Sequence, residues 1–151
     1  MSDDLRELYQ EVILEHGKNP RNFYASEDAT NEARGNNPLC GDQLVIYLKL
    51  DDDGRVANAS FLGKGCAISM ASASMMTEIV KGRTRNEAES IFEAFHGICT
   101  GEEAGHKLSD DLEKLQVLSG VSAFPTRVKC ATLPWHTMVA ALHGKDEIST
   151  E

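Results

Sequence analysis

Between Gln43 and Leu62 the chain alternates in a way that few architectures accept. Leu44, Ile46, Leu48 and Leu50 fall on one face of an extended chain, and Val45, Tyr47 and Lys49 fall on the other. A side-chain period of two is the mark of a strand with one buried face. Asp51-Asp52-Asp53-Gly54 then turns the chain, and Arg55 to Leu62 returns it as the second strand of a hairpin. The three aspartates lack the ligand spacing of a calcium loop and read as a solvated turn. A short strand around Ala29 to Arg34 is expected to pair with this hairpin.

The flanking segments read as helices. Asp3 or Asp4 can cap a first helix whose apolar positions Leu5, Leu8, Tyr9, Val12 and Ile13 follow helical spacing, with Gly17 as its stop. His16 in its last turn reads as a helix-end cation rather than a ligand. Lys18-Asn19-Pro20-Arg21-Asn22 is turn-rich and basic, and reads as a solvated loop. After the hairpin, Gly63-Lys64-Gly65-Cys66 leads into a run of small residues and methionines that predicts a closely packed helix to Lys81-Gly82. The methionines read as core filler. Thr84-x-x-Glu87 is a capping box for a helix through Phe95, after which Gly97, Gly101 and Gly105 break the chain. Ser109 can cap a further helix carrying Leu112, Leu115 and Leu118, ending at Gly120. A last helix runs to His143 and Gly144, with Pro134 in its first turn. Residues 1–3 and 145–151 are expected to fray.

A chain of 151 residues holds one full core but not two ordinary domains, so residues 1–151 read as a single unit. The formal net charge of −9 argues against nucleic acid as a partner. No apolar run approaches membrane-spanning length, and the acidic start lacks the apolar stretch of a signal peptide. The expected location is therefore cytoplasmic. In that reducing setting the four cysteines Cys40, Cys66, Cys99 and Cys130 favour metal binding or thiol chemistry over disulfides. None of them forms a C-x-x-C pair, which excludes the common zinc-finger and thioredoxin patterns.

Cys40-Gly41-Asp42 places a thiol and a carboxylate two residues apart, on one side of an extended chain, with glycine allowing the backbone to bend between them. Pro38 and the preceding Asn36-Asn37 favour a turn. Cys66 falls at a helix start, where the dipole favours thiolate, and Cys130 is expected near another. This is the layout of three thiolates and one carboxylate around a tetrahedral ion, and zinc accepts both donor types. The formal charge of −2 would be offset by the helix starts and by Lys64, Arg127 and Lys129. Cys99, with His96 and His106 nearby, reads as a packing residue.

Three motifs, N-P-L-C-G-D, G-K-G-C-A-I-S-x-A-S-A-S-M-M and R-V-K-C-A-T-L-P-W, together with the opening L-Y-Q-E-V-I-L-E-H-G-K-N-P-R-N-F, resemble the SufU branch of the IscU/NifU N-terminal-like proteins. The resemblance covers nearly the whole chain. It implies an α+β domain with a small antiparallel sheet of about three strands backed by helices, working in iron–sulfur cluster biogenesis. The ligand positions it implies are Cys40, Asp42, Cys66 and Cys130. Scaffold-type relatives carry histidine immediately before the last cysteine, where this chain has Lys129. The interval from Cys66 to Cys130 is also longer here. Both departures match the SufU branch and its zinc-dependent sulfur-acceptor role.

The expected function is that of a sulfurtransferase taking persulfide sulfur from a SufS-type, PLP-dependent cysteine desulfurase and activating it, with downstream iron–sulfur assembly scaffold proteins as later partners. Cys40 is the expected acceptor, freed when a donor from the desulfurase displaces it from zinc. Arg127, Lys129 and Lys64 are the expected supporting or docking cations, with Lys18 and Arg21 as further candidates. Two rival readings use the same residues: a scaffold holding a [2Fe–2S] cluster, and a zinc-stabilised adapter without sulfur chemistry.

Overall fold

The computed structural model describes residues 3–38, 41–101, 110–145 and 147–149. In chain order the elements are α1 (Asp3–Lys18), β1 (Asn31–Asn37), β2 (Asp42–Leu50), β3 (Val56–Lys64), α2 (Ala67–Val80), α3 (Arg85–Thr100), α4 (Asp110–Leu115), a 3-10 helix (Gln116–Ala123), α5 (Pro125–Leu142) and β4 (Glu147–Ser149). The α+β class expected from the sequence is the observed one.

The hairpin forms as its alternation requires. Leu44, Ile46 and Leu48 are buried while Val45, Tyr47 and Lys49 on the other face are only half-buried. Asp51 organises the turn through Oδ1, which accepts from the Asp53 and Arg55 N–H groups at 3.0 and 2.9 Å. Four strands, not three, make the sheet, in the order β3-β2-β1-β4. The first three are antiparallel, and β4 joins β1 in parallel. The polar tail gave no apolar alternation to announce a strand. It pairs with β1 through the backbone.

Helix α5 lies directly on β1, because a side chain at Gly35 would run into Thr137 Oγ1 and come within 3.2 Å of Leu133 Cδ1. Between the layers sits one core, with Trp135 against Phe95 at a ring separation of 5.2 Å. Helix α2 is buried on nearly every side, so its hydroxyls need internal partners. Ser72 donates to the Ala131 carbonyl at 2.5 Å, and Thr77 donates to the Ser74 carbonyl at 2.7 Å.

Three sequence expectations are corrected here. Helix α3 runs through Gly97 to Thr100 and stops at Gly101, at φ 83°. The continued inward stripe of Phe95, Ile98 and Cys99 outweighs the roughly 1 kcal/mol that one glycine costs. Pro125, not Pro134, opens α5, so Pro134 lies inside the helix. His16 is not a solvated helix-end cation. Its Nδ1 lies 2.7 Å from Ser74 Oγ, which also accepts from the Arg21 N–H at 2.8 Å. Ser74 Oγ thus joins the His16 ring to the backbone that follows α1. Burial, followed by the Arg21 charge, holds His16 below its ordinary pKa of 6.5.

The segment after α1 is likewise tied down rather than simply solvated. Asn22 donates to Thr77 Oγ1 at 3.0 Å and accepts from Lys81 at 2.6 Å, while Arg21 bonds the Asn19 carbonyl at 2.5 Å. No helix is long and apolar enough to cross a membrane among the described residues.

Candidate metal centre

At one end of the sheet the β1–β2 register sets Asn37 opposite Asp42, and both side chains are fully buried. β3 then delivers the chain through Gly65 to Cys66, the N-cap of α2, whose Sγ accepts from the Ser69 N–H at 3.5 Å. From the other layer, α5 brings Cys130, which is also fully buried. The ligand atoms of Asp42, Cys66 and Cys130 all lie within 4.8 Å of one another. Among the described residues this is the one such trio of metal-capable side chains.

The cradle is tight. Asp42 Oδ1 accepts the Cys66 N–H at 2.9 Å, and Asp42 Oδ2 stands 4.0 Å from Cys66 Sγ. A side chain at Gly65 would overlap Asp42 Oδ1 and approach Ser69 Oγ to 2.9 Å, so glycine is what lets the backbone pass. The Cys66 thiol is drawn down to about 6, first by the Cys130 thiol donating to it and then by the Ser69 N–H, against the opposing effects of burial and the Asp42 charge. Cys66 sits at a helix start as expected, whereas Cys130 is in the second turn of α5, away from the N-terminal N–H groups.

The donor set fits a divalent metal. Asp42 is fully buried beside two thiols, and among the described residues no ion pair neutralises it. Buried charge of this kind requires a counter-ion or coordination. Two sulfurs and one carboxylate oxygen match the ligand chemistry of zinc, with a fourth position to be filled.

Cys40, along with His106 and Ser109, lies outside the described residues. By sequence Cys40 is two residues from Asp42, in the connection between β1 and β2. Cys99 is remote in role. It is fully buried in the last turn of α3, and burial pushes its thiol up to about 12. Lys64 is exposed at the end of β3, Arg127 is exposed in the first turn of α5, and Lys129 beside Cys130 is half-buried. Sequence reasoning missed Asn37 as anything beyond a turn former. Its only signal was its place just before Pro38 in the N-P-L-C-G-D run.

Residues 8–131 match the family described as the NifU-like N terminal domain. The chain is 44% identical over 135 residues to the zinc-dependent sulfurtransferase SufU of Bacillus subtilis strain 168, covering 89% of each chain. It is 36% identical over 138 residues to the iron-sulfur cluster assembly scaffold protein IscU of Streptococcus pyogenes serotype M1, covering 91% of this chain and 84% of the relative. Among solved structures it is similar to a putative iron-sulfur cluster assembly scaffold protein for the SUF system from Fervidobacterium islandicum AW-1. That match has a TM-score of 0.81 and 31% identity, and covers 91% of this chain and 98% of the other.

Proposed function

The chain belongs to the NifU-like N-terminal domain family, and from that membership and its buried Asp42–Cys66–Cys130 cluster we propose that it serves iron–sulfur cluster biogenesis as a zinc-dependent sulfur acceptor. The observation that carries the reading is a thiol-rich trio closing on one point, with a third thiol, Cys40, two residues from its carboxylate. The residues that would hold zinc are Cys40, Asp42, Cys66 and Cys130. Bound zinc supplies charge neutralisation and keeps its thiolate ligands deprotonated at neutral pH.

The sulfur donor is a PLP-dependent cysteine desulfurase carrying a cysteine persulfide. The acceptor thiolate attacks the outer sulfur of that persulfide. The donor's S–S bond breaks, its cysteine leaves as thiolate, and a new S–S bond forms on the acceptor, with no net oxidation or reduction. Cys40 is assigned as acceptor because its place in the sequence falls between the ends of β1 and β2, whereas Cys66 caps α2 and Cys130 lies within α5. Asp42 stays as a fixed hard donor, anchored by the Cys66 N–H. Arg127, Lys129 and Lys64 supply positive charge around the site on a chain of net charge −9, which suits encounter with an acidic partner surface.

The test is to mix the purified protein with its desulfurase and follow labelled sulfur onto individual cysteines. Label on Cys40, with zinc in the protein, supports the reading, and label confined to Cys99 overturns it. A brown protein containing iron and sulfide instead supports the scaffold reading, which the name of the streptococcal relative favours. Arg127→Ala is expected to weaken desulfurase activation at low desulfurase concentration while zinc content stays normal. Full activation by this variant would remove Arg127 from the docking surface.

A further inference from the structure

Each of the three clustered groups has a neighbouring N–H directed at it, and one of those donors is a side chain with no other evident duty. Asp42 Oδ1 has the Cys66 N–H, and Cys66 has the Ser69 N–H at the start of α2. The Asn37 carboxamide is directed at both Cys130 and Asp42 Oδ2, the latter also facing the Cys66 thiol at 4.0 Å. Its Nδ2 lies 3.7 Å from Cys130 Sγ and 3.5 Å from Asp42 Oδ2. One primary amide carries two N–H bonds, so a single Nδ2 can address both groups at once.

Asn37 is fully buried, and among the described residues its Oδ1 finds no hydrogen-bond partner. Burying an amide with half of its capacity unused costs free energy, and a leucine of similar size would avoid that cost. The strand does not require asparagine, because β1 pairs with β2 through the backbone. What the carboxamide does supply is an N–H at a point shared by a thiol and a carboxylate. The fixed register, Asn37 opposite Asp42, holds it there.

We infer that Asn37 is a positioning residue of the metal centre: its amide aims Asp42 Oδ2 and Cys130 Sγ at a common point and withdraws charge from both. These two donors then stay in place while the ligand between the strands exchanges. The inference rests on the zinc reading above and adds to it a residue outside the ligand set. Residues of this kind around metal ligands typically govern 10–100-fold in affinity. N–H···S bonding also lowers the electron density of a thiolate, which a purely structural role would not do.

The experiment uses cobalt(II) as the probe, bound to the full chain in place of zinc. The parent, Asn37→Leu, Asn37→Asp and the neighbouring control Asn36→Ala are titrated, and the thiolate-to-cobalt charge-transfer band and the rate of cobalt loss to a chelator are recorded. Far-UV circular dichroism checks the fold of each protein. Asn37→Leu is expected to move the band to lower energy and weaken cobalt binding by about 10–100-fold. Asn37→Asp keeps the shape but sets a further carboxylate against Asp42, so it is expected to lose more. Asn36→Ala is expected to match the parent. Folded Asn37 variants with the parent's band position, and affinity within about twofold, would overturn the inference while leaving the zinc reading standing. A parent that binds no cobalt through thiolate would overturn both.

Discussion

Replacing Gly65 with alanine tests the geometry of the centre at its tightest point. An added Cβ would overlap Asp42 Oδ1, sit 3.0 Å from Asp42 Cγ and lie 2.9 Å from Ser69 Oγ. Two responses are open to the protein. The carboxylate can rotate away, which breaks the 2.9 Å bond from the Cys66 N–H, a charge-assisted bond worth roughly 1.5–3 kcal/mol. Alternatively the carboxylate stays and the backbone shifts, at an overpacking cost of about 1–3 kcal/mol. These are alternatives and do not add. Across the two responses the expected loss is about 1–3 kcal/mol, which for a chain of this size lowers Tm by roughly 2–12 °C. Calorimetry measures the loss of stability, and the rate of zinc release to a chelator reports whether Asp42 has turned away. Gly120→Ala is the control, since a Cβ there meets nothing within 4 Å. A Gly65→Ala protein with the parent's Tm and the parent's release rate would refute the claim that glycine is needed for the chain to pass Asp42.

Cys99→Ser should retain zinc and accept sulfur at close to the parent level, because Cys99 is buried in α3 with its thiol pushed up to about 12. Abolition of either by this substitution would place Cys99 in the chemistry. In chelator-treated protein, alkylation of Cys66 should rise with a midpoint near pH 6, as its pKa of about 6 requires, while Cys99 stays unmodified through neutral pH; mass spectrometry of the modified peptides reads both. Burial holds the folded His16 pKa below 6.5, so the unfolded chain takes up that proton first. Stability should therefore fall as pH drops below about 6.5 toward the folded value. His16→Gln, which cannot titrate, should flatten that part of the Tm–pH curve, and an unchanged slope would mean that His16 does not contribute.

Much of this protein is decided by short-range rules that the sequence displays directly. The two-residue period of Leu44, Ile46 and Leu48 dictates a half-buried strand, and Asp51 with Gly54 dictates the turn that follows. Thr84 and Glu87 form the capping box that their spacing predicts, and Cys66 takes the N-cap of α2 where the small-residue run begins. The candidate ligands Asp42, Cys66 and Cys130 were all legible as residues with motifs around them. Other features depend on partners far along the chain, and no local pattern carries them. β4 exists because the edge of β1 offers unpaired backbone groups to a polar segment some 110 residues later. His16 became a neutral partner of Ser74 because α1 packs on α2, and Gly97 stayed helical because the α3 face beyond it is buried in the core. Asn37 shows the division most clearly. Its sequence position marks a turn before proline, and only the meeting of β1, β2 and α5 sets its amide between a carboxylate and a thiol. Local propensity acts within a few residues, whereas a site assembled from strands and a distant helix is determined by packing, which decides what those residues face.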